Sequence, residues 1–231
     1  MITVETIRER HSVREYDGKP LARVEFDALG AVVEECARES GLDIQLVGDN
    51  PEVFNVIARF GLIRGCRTHV AFVVDDAKAR GVAADEAIGY WGQKIVLAAQ
   101  DMGLNTCWCA LCSRKKSHAV VAPGKKIRLI IAVGHGKTQG FSRKTKSAEA
   151  LSSVECAKAP AWFAAAMEAA QLAPTAMNNQ NFKITLLSDG KTVRIEAPQS
   201  GLNAIDQGIV RRNFEIAANE SGTDWHWERD M

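Results

Sequence analysis

No run of apolar residues in the 231-residue sequence approaches the roughly 20 that a membrane-spanning helix requires, and this excludes an integral helical membrane protein. The first residues, Met1 to Arg8, contain no secretory h-region, so the expected compartment is the cytoplasm. Without such a leader, six cysteines read as reduced thiols rather than as a disulfide framework. Collagen-like and heptad repeats are absent too. Intrinsic disorder needs few hydrophobic residues or a large net charge, and 46% hydrophobic residues with 29 basic against 28 acidic side chains supply neither.

A local absence is more telling. Between Asp101 and Glu149 there is no acidic residue, while Arg114, Lys115, Lys116, Lys125, Lys126, Arg128, Lys137, Arg143, Lys144 and Lys146 all lie there. The remainder of the chain carries 19 basic against 28 acidic residues. A positive third on a negative body suits an anionic ligand, a phosphate first of all. Only Trp108 and Phe141 could stack on bases within that segment, so no nucleic-acid partner is expected. Also missing are a Ser-His-Asp order, an H-E-x-x-H helix, a G-x-G-x-x-G turn and P-loop spacing. Acid–base chemistry by side chains has no visible candidate.

Helical and strand patterns alternate along the chain. Spacing predicts helices over 24–40, from Pro51 through Ile57, over 83–102, 160–172 and 203–221. Strands are expected at 43–47, 69–74, 106–111, 127–133, 182–187 and 192–197, with a last one holding Trp225 and Trp227. Asp189-Gly190 between two such strands is a hairpin signal, so the sheets are not purely parallel and the class is α+β.

Four segments could carry chemistry. Arg10-His11-Ser12-Val13-Arg14 sets two guanidinium groups around a hydroxyl, a set that can converge on a phosphate, although such pairs are commonly solvated surface. Leu172 to Gln180, with Pro174, Thr175, Ala176, Asn178 and Gln180, hands a helix over to amide-bearing residues that suit the edge of a planar heterocycle; a well-capped helix-to-strand loop is the plainer reading. Cys107-Trp108-Cys109-Ala110-Leu111-Cys112 invites a metal or iron–sulfur reading, but Cys36, Cys66 and Cys156 offer no paired fourth ligand. In a strand, Cys107 and Cys109 share one face as ordinary core, and no metal is expected. Gly134-His135-Gly136-Lys137 and Arg143 to Lys146 form a glycine- and lysine-rich stretch that can grip a phosphate.

The order of these pieces resembles the nitroreductase-like family. Ile7 to Tyr16 is similar to its Arg-Arg-Ser-x-Arg signature. Gly89 to Ala99, followed by Met102-Gly-Leu-Asn-Thr-Cys-Trp108, looks like its central helix and strand. Ala173-Pro-Thr-Ala-Met-Asn-Asn-Gln180 is similar to its Ala-Pro-Ser-x-x-Asn-x-Gln flavin loop. That loop follows a later helix than usual, which resembles the short, internally duplicated branch whose chain folds as a pseudo-dimer. The resemblance implies mixed, mainly antiparallel sheets packed with helices, and two halves, residues 1–145 and 146–231, sharing one flavin site. It further implies FMN as cofactor, NADH or NADPH as donor, and ping-pong hydride transfer through flavin N5 to a nitroaromatic, quinone or similar small acceptor, in a monomer or a homodimer.

By the same resemblance Arg10, His11 and Ser12 hold the phosphate and ribityl end, with Lys144 and Lys146 closing on the phosphate. Arg14 sits at the pyrimidine end, where a cation stabilises reduced, anionic flavin. Trp108 and Cys109 are at the site, and Pro174, Thr175, Ala176, Asn178 and Gln180 line the ring edge. Three positions depart from the pattern. Ala110-Leu111 stand where short-branch members have Gly-Gly, Gln93 replaces a Glu, and Asn181-Phe182 replaces Pro-Trp. These departures leave a second reading open, a flavin-binding protein without turnover that stores or senses the cofactor.

Overall fold

A computed structural model describes residues 2–54, 63–75, 81–154, 159–199 and 201–228. The elements are α1 (Val4–Glu9), α2 (Arg23–Ser40), β1 (Asp43–Val47), β2 (Thr68–Asp75), α3 (Val82–Asp101), β3 (Asn105–Cys109), β4 (Lys125–Gly134), α4 (Ala148–Leu151), α5 (Ala161–Gln171), β5 (Lys183–Leu186), β6 (Thr192–Glu196), α6 (Asn203–Glu220) and β7 (His226–Trp227). They divide between two units. One comprises Glu9–Ala84 and Lys94–Ser142, the other Met1–Arg8, Asp85–Gln93 and Arg143–Met231. Among the described residues no helix is long and apolar enough to cross a membrane.

The first unit is built on a four-stranded sheet of order β1-β2-β4-β3 in which every pair is antiparallel. All of β2 except Asp75 is buried, so both faces of the sheet are covered. Alternation along the strands sends Ala71, Val73, Cys107, Cys109, Ile130 and Ala132 to one apolar cluster with Val13, Tyr16 and Phe54. Trp108 takes the opposite face and stacks on Phe72, with ring centroids 6.3 Å apart and planes at 13°. In α2 the spacing predicts a stripe of Leu29, Val32, Val33 and Cys36, of which Leu29, Val33 and Cys36 are buried and Val32 is half-buried. The helix starts where the Glu25 carboxylate accepts from the Ala22 N–H (2.8 Å) and stops at Gly41, whose φ of +69° suits glycine.

The second unit joins a small sheet to α5 and α6. β5 and β6 pair antiparallel across Asp189-Gly190, and the Asp189 carboxylate accepts from Lys191 N (3.0 Å) and Thr192 N (2.8 Å). β7 adds to β6 in parallel. Trp162, Phe163, Phe214, Trp225 and Trp227 form an aromatic cluster, with Phe214 at 5.4 Å from Trp225 and 5.1 Å from Trp227. Residues 85–93 of α3 meet α6 backbone to backbone. A Cβ on Gly89 would strike the Ile205 carbonyl, and one on Gly208 would strike the Glu86 carbonyl and come within 2.6 Å of Tyr90 N.

Three expectations change at the edges. The strand expected to reach Leu111 ends at Cys109, because the chain turns there and the Cys112 thiol comes back onto the Cys109 carbonyl (3.7 Å). The helix from Pro51 is a single 3-10 turn, Pro51–Phe54, and Ile57 lies outside the described residues. Trp225 belongs to the aromatic cluster rather than to β7.

Candidate functional site

In the first unit the arginine segment is an extended arm rather than a helix. Ser12 bridges Thr106 of β3 in parallel, Val13 N donates to Thr106 O (3.0 Å), and Tyr16 N and Arg64 N exchange bonds with Arg64 O and Arg14 O (both 2.8 Å). Tyr16 anchors the arm. It is buried, its hydroxyl donates to Val13 O (2.9 Å), and burial pushes its pKa well above the ordinary value. Arg10 is buried at 8% exposure, while His11, Ser12 and Arg14 are half-buried. His11 is held from both ends: Nδ1 donates to Glu9 O (2.8 Å) and Nε2 accepts from the Ser142 hydroxyl (3.0 Å).

The glycine-rich stretch after β4 packs on that arm. A Cβ on Gly134 would press the Tyr16 ring, one on Gly140 would meet His11 Cβ at 2.7 Å, and one on Gly136 would meet Asn105 Oδ1 at 2.7 Å. Gly136 N donates to that Asn105 oxygen (2.9 Å), and Asn105 Nδ2 donates to Gln139 (2.8 Å). These glycines thus serve close packing. His135 is a loop residue bonded to Glu25 (3.1 Å). At the end of β3, Cys109 is buried and Leu111 is 64% exposed.

In the second unit, two segments singled out separately in the sequence meet. The loop after α5 is wound tightly, with Met177, Asn178 and Gln180 at φ of +53°, +57° and +46°. Such angles are unusual for residues with side chains and persist where surrounding bonds over-determine them. Gln180 supplies most of those bonds. It is 1% exposed; its Nε2 donates to Gln171 O (2.9 Å), its Oε1 accepts from Lys146 N (2.6 Å), its carbonyl accepts from Lys146 Nζ (3.0 Å), and its own N–H donates to Thr175 Oγ1 (3.1 Å). Asn178 Nδ2 donates to Lys144 O (2.8 Å), and Gln171 Nε2 donates to Lys146 O (2.7 Å). Gln180 and Lys146 are therefore engaged with each other. Lys144 is exposed, and among the described residues no carboxylate pairs with its ammonium group. Thr175 is buried and Pro174, Ala176 and Asn178 are half-buried along the loop.

Sequence reasoning passed over Asp206. It is buried in the first turn of α6, and both of its carboxylate oxygens accept from Ala176 N (2.9 and 3.0 Å). Burial pushes its pKa up to about 7, against a smaller lowering by that N–H. An aspartate flanked by Ala204 and Ile205 on one side and Gly208, Ile209 and Val210 on the other was the available signal. Of the departing positions, Gln93 is fully buried and donates to Asn213 Oδ1 (2.9 Å), which in turn donates through Nδ2 to Ala169 O (3.1 Å). Asn181 is exposed and Phe182 is core. Among the described residues no group of three or more His, Cys, Asp or Glu is placed to hold a metal ion.

A family model described as "Putative TM nitroreductase" matches residues 2–218. Among solved structures, a "putative nitroreductase" from Thermotoga maritima is similar over 96% of this chain and 85% of its own, with 20% identity and a TM-score of 0.64. A "Putative NADH dehydrogenase/NAD(P)H nitroreductase" from Parabacteroides distasonis matches over 66% and 95%, with 20% identity and a TM-score of 0.50. One of the same description from Bacteroides thetaiotaomicron matches over 64% and 94%, with 19% identity and a TM-score of 0.50. Comparison with curated proteins gave no significant match. The class is thus an α+β oxidoreductase with the nitroreductase fold. Within it, the chain belongs to the family described as "Putative TM nitroreductase", which covers nearly its whole length.

Proposed function

We propose that this chain is an FMN-dependent NAD(P)H oxidoreductase that reduces a nitroaromatic, a quinone or a similar small acceptor. One observation supports the reading above the others. The Ala173 to Gln180 loop, selected for its likeness to a flavin loop, is hydrogen-bonded to Lys144 and Lys146, selected for phosphate. The donor that fits an anionic group is the exposed ammonium of Lys144, beside a loop whose amides at Thr175, Ala176, Asn178, Asn179 and Gln180 are bonded within the protein and hold its shape. FMN, when bound, supplies the redox chemistry, taking a hydride from NAD(P)H and giving electrons to the acceptor.

The protein's part is binding and orientation. Lys144, Arg10 and Ser12 would hold phosphate and ribityl oxygens, and His11 keeps the arm in place. Arg14 would stabilise negative charge on the pyrimidine ring. Pro174, Thr175, Ala176 and Asn178 would line the ring edge, with Trp108 and Cys109 also serving the cofactor. Gln180 and Lys146 position the loop through their mutual bonds. No side chain is asked to act as acid or base.

A fluorescence titration of the purified protein with FMN, then NADH or NADPH oxidation with a quinone acceptor, tests this. Uptake of FMN and bleaching of its visible bands by reductant are expected. Lys144→Ala should weaken FMN about tenfold, the worth of one charge-assisted phosphate contact. Leu111, exposed where short-branch relatives have glycine, favours the second reading, flavin binding without turnover. Bands that form but do not bleach would establish it, and protein that never takes up FMN would refute both.

A further inference from the structure

The thiols of the first unit are not equivalent, and the flavin reading asks no thiol chemistry of any of them, Cys109 included. Cys66 is buried, donates to Thr68 O (3.2 Å) and Val133 O (3.3 Å), and is pushed by burial up to about 12, so it is inert. Cys107 is core. Cys109 and Cys112 differ from both. They form a Cys-x-x-Cys spacing at the end of β3, where the turn folds Cys112 back on Cys109. Cys112 Sγ donates to Cys109 O (3.7 Å) and Cys109 Sγ donates to Leu111 O (3.4 Å), so both thiols sit inside the same four-residue turn. Cys109 is 7% exposed, whereas Cys112 is half-exposed.

The surroundings favour charge on the outer sulfur. Arg114 donates to Ala110 O (2.8 Å), which brings its guanidinium back over the turn that holds Cys112. The hydrogen bond from Cys109, with the Arg114 cation beside it, holds the Cys112 thiol below the usual range. The same bond, together with burial, pushes the Cys109 thiol up. Lys115 and Lys116 follow Arg114 in a 3-10 turn, so the segment just after the thiol carries three basic residues.

We propose that Cys109 and Cys112 are a redox-active dithiol–disulfide pair, with Cys112 as the attacking thiol and an anionic small-molecule disulfide of the glutathione type as its partner. The Cys112 thiolate attacks one sulfur of the oxidised partner. The partner's S–S bond breaks, one thiolate leaves, and a mixed disulfide forms. Cys109 then loses its proton and attacks Cys112 Sγ, expelling the second thiol. Two protein thiols are oxidised, one small disulfide is reduced to two thiols, and the process runs backwards in excess thiol.

Full-length protein, reduced and freed of reductant, would be equilibrated in buffers of graded oxidised-to-reduced glutathione ratio, acid-quenched, alkylated and mapped by mass spectrometry. The expected product has lost two hydrogens and carries a Cys109–Cys112 link that appears in a single transition. Cys109→Ser should stop at a stable glutathione adduct on Cys112, and Cys112→Ser should react at neither position. In the reduced protein, Cys112 should alkylate at neutral pH about tenfold faster than Cys66. Both thiols remaining alkylatable at every ratio, a wild-type adduct on Cys112 that never resolves, or a link to Cys66 or Cys107 instead would each overturn the proposal. The wild-type measurement decides by itself should either variant fail to fold.

Discussion

Alanine at Gly208 should destabilise the protein by about 3 kcal/mol, and alanine at Gly89 by a similar amount, because the added methyl group meets backbone that has no rotamer to change. Helices can separate only by shifting along their whole contact, and interiors packed at crystal-like density transmit that strain. Net stabilities of ~5–15 kcal/mol leave little margin for such a loss. Urea unfolding of the two variants would measure it. Gly30→Ala in α2 is the internal control: its new Cβ would meet only Leu46 Cδ2 at 3.9 Å, so helix propensity should make it neutral or stabilising by up to about 1 kcal/mol. Equal effects at all three positions would show that helix propensity, not the α3–α6 contact, governs them.

Asp206→Asn should raise stability at pH 8 and remove a loss of stability that the native protein suffers as pH rises. The folded-state pKa of Asp206 is about 7 against an ordinary 3.8, so the folded protein holds this proton more tightly than the unfolded chain does. Stability from this group is present in full below the lower value and is lost as pH rises through the window from about 4 to 7. Such a shift corresponds to about 4 kcal/mol, or on the order of 10 °C in melting temperature for a chain of this size. Asparagine keeps an oxygen for the Ala176 N–H and removes the charge. The His69 imidazole, which burial pushes down to about 4, adds stability over much of the same range, so the difference between the two proteins isolates Asp206. Melting curves between pH 4 and 8 should therefore diverge, the variant gaining on the native protein as pH rises; a difference that stays constant across the range would show Asp206 ionised and satisfied.

Elements set by local chemistry were legible in the sequence. The stripe Leu29, Val32, Val33, Cys36 with Gly41 behind it defines α2 within a residue, and Asp189-Gly190 defines its hairpin because few pairs tolerate that turn. The end of β3 was misread because apolar character persists through Leu111 while hydrogen bonding to β4 stops at Cys109. Periodicity reports what is hydrophobic, not where a ladder ends. The loop at Pro174 and the lysines at 144 and 146 could each be selected by residue type. Their mutual bonds could not, because Lys146 and Gln180 are 34 residues apart and no local pattern encodes that pairing. Gln180, expected at the ring edge, is thus also tied to Lys146, Gln171 and Thr175. Asp206 escaped notice for a related reason: its charge reads as solvated surface until α6 is known to bury that face.

The path of α3 constrains how the gene could be divided. A cut between residues 142 and 143 looks natural, since the chain does not return to the β1–β4 unit afterwards. Yet a fragment beginning at Arg143 would lack residues 1–8 and 85–93 of its own unit, including Gly89 and the Glu86 carbonyl against which Gly208 lies. Expressed alone, it would present a bare glycine-notched strip of α6 to solvent. The two pieces should therefore behave as complementing fragments, insoluble or unfolded apart and recovered together only when co-expressed.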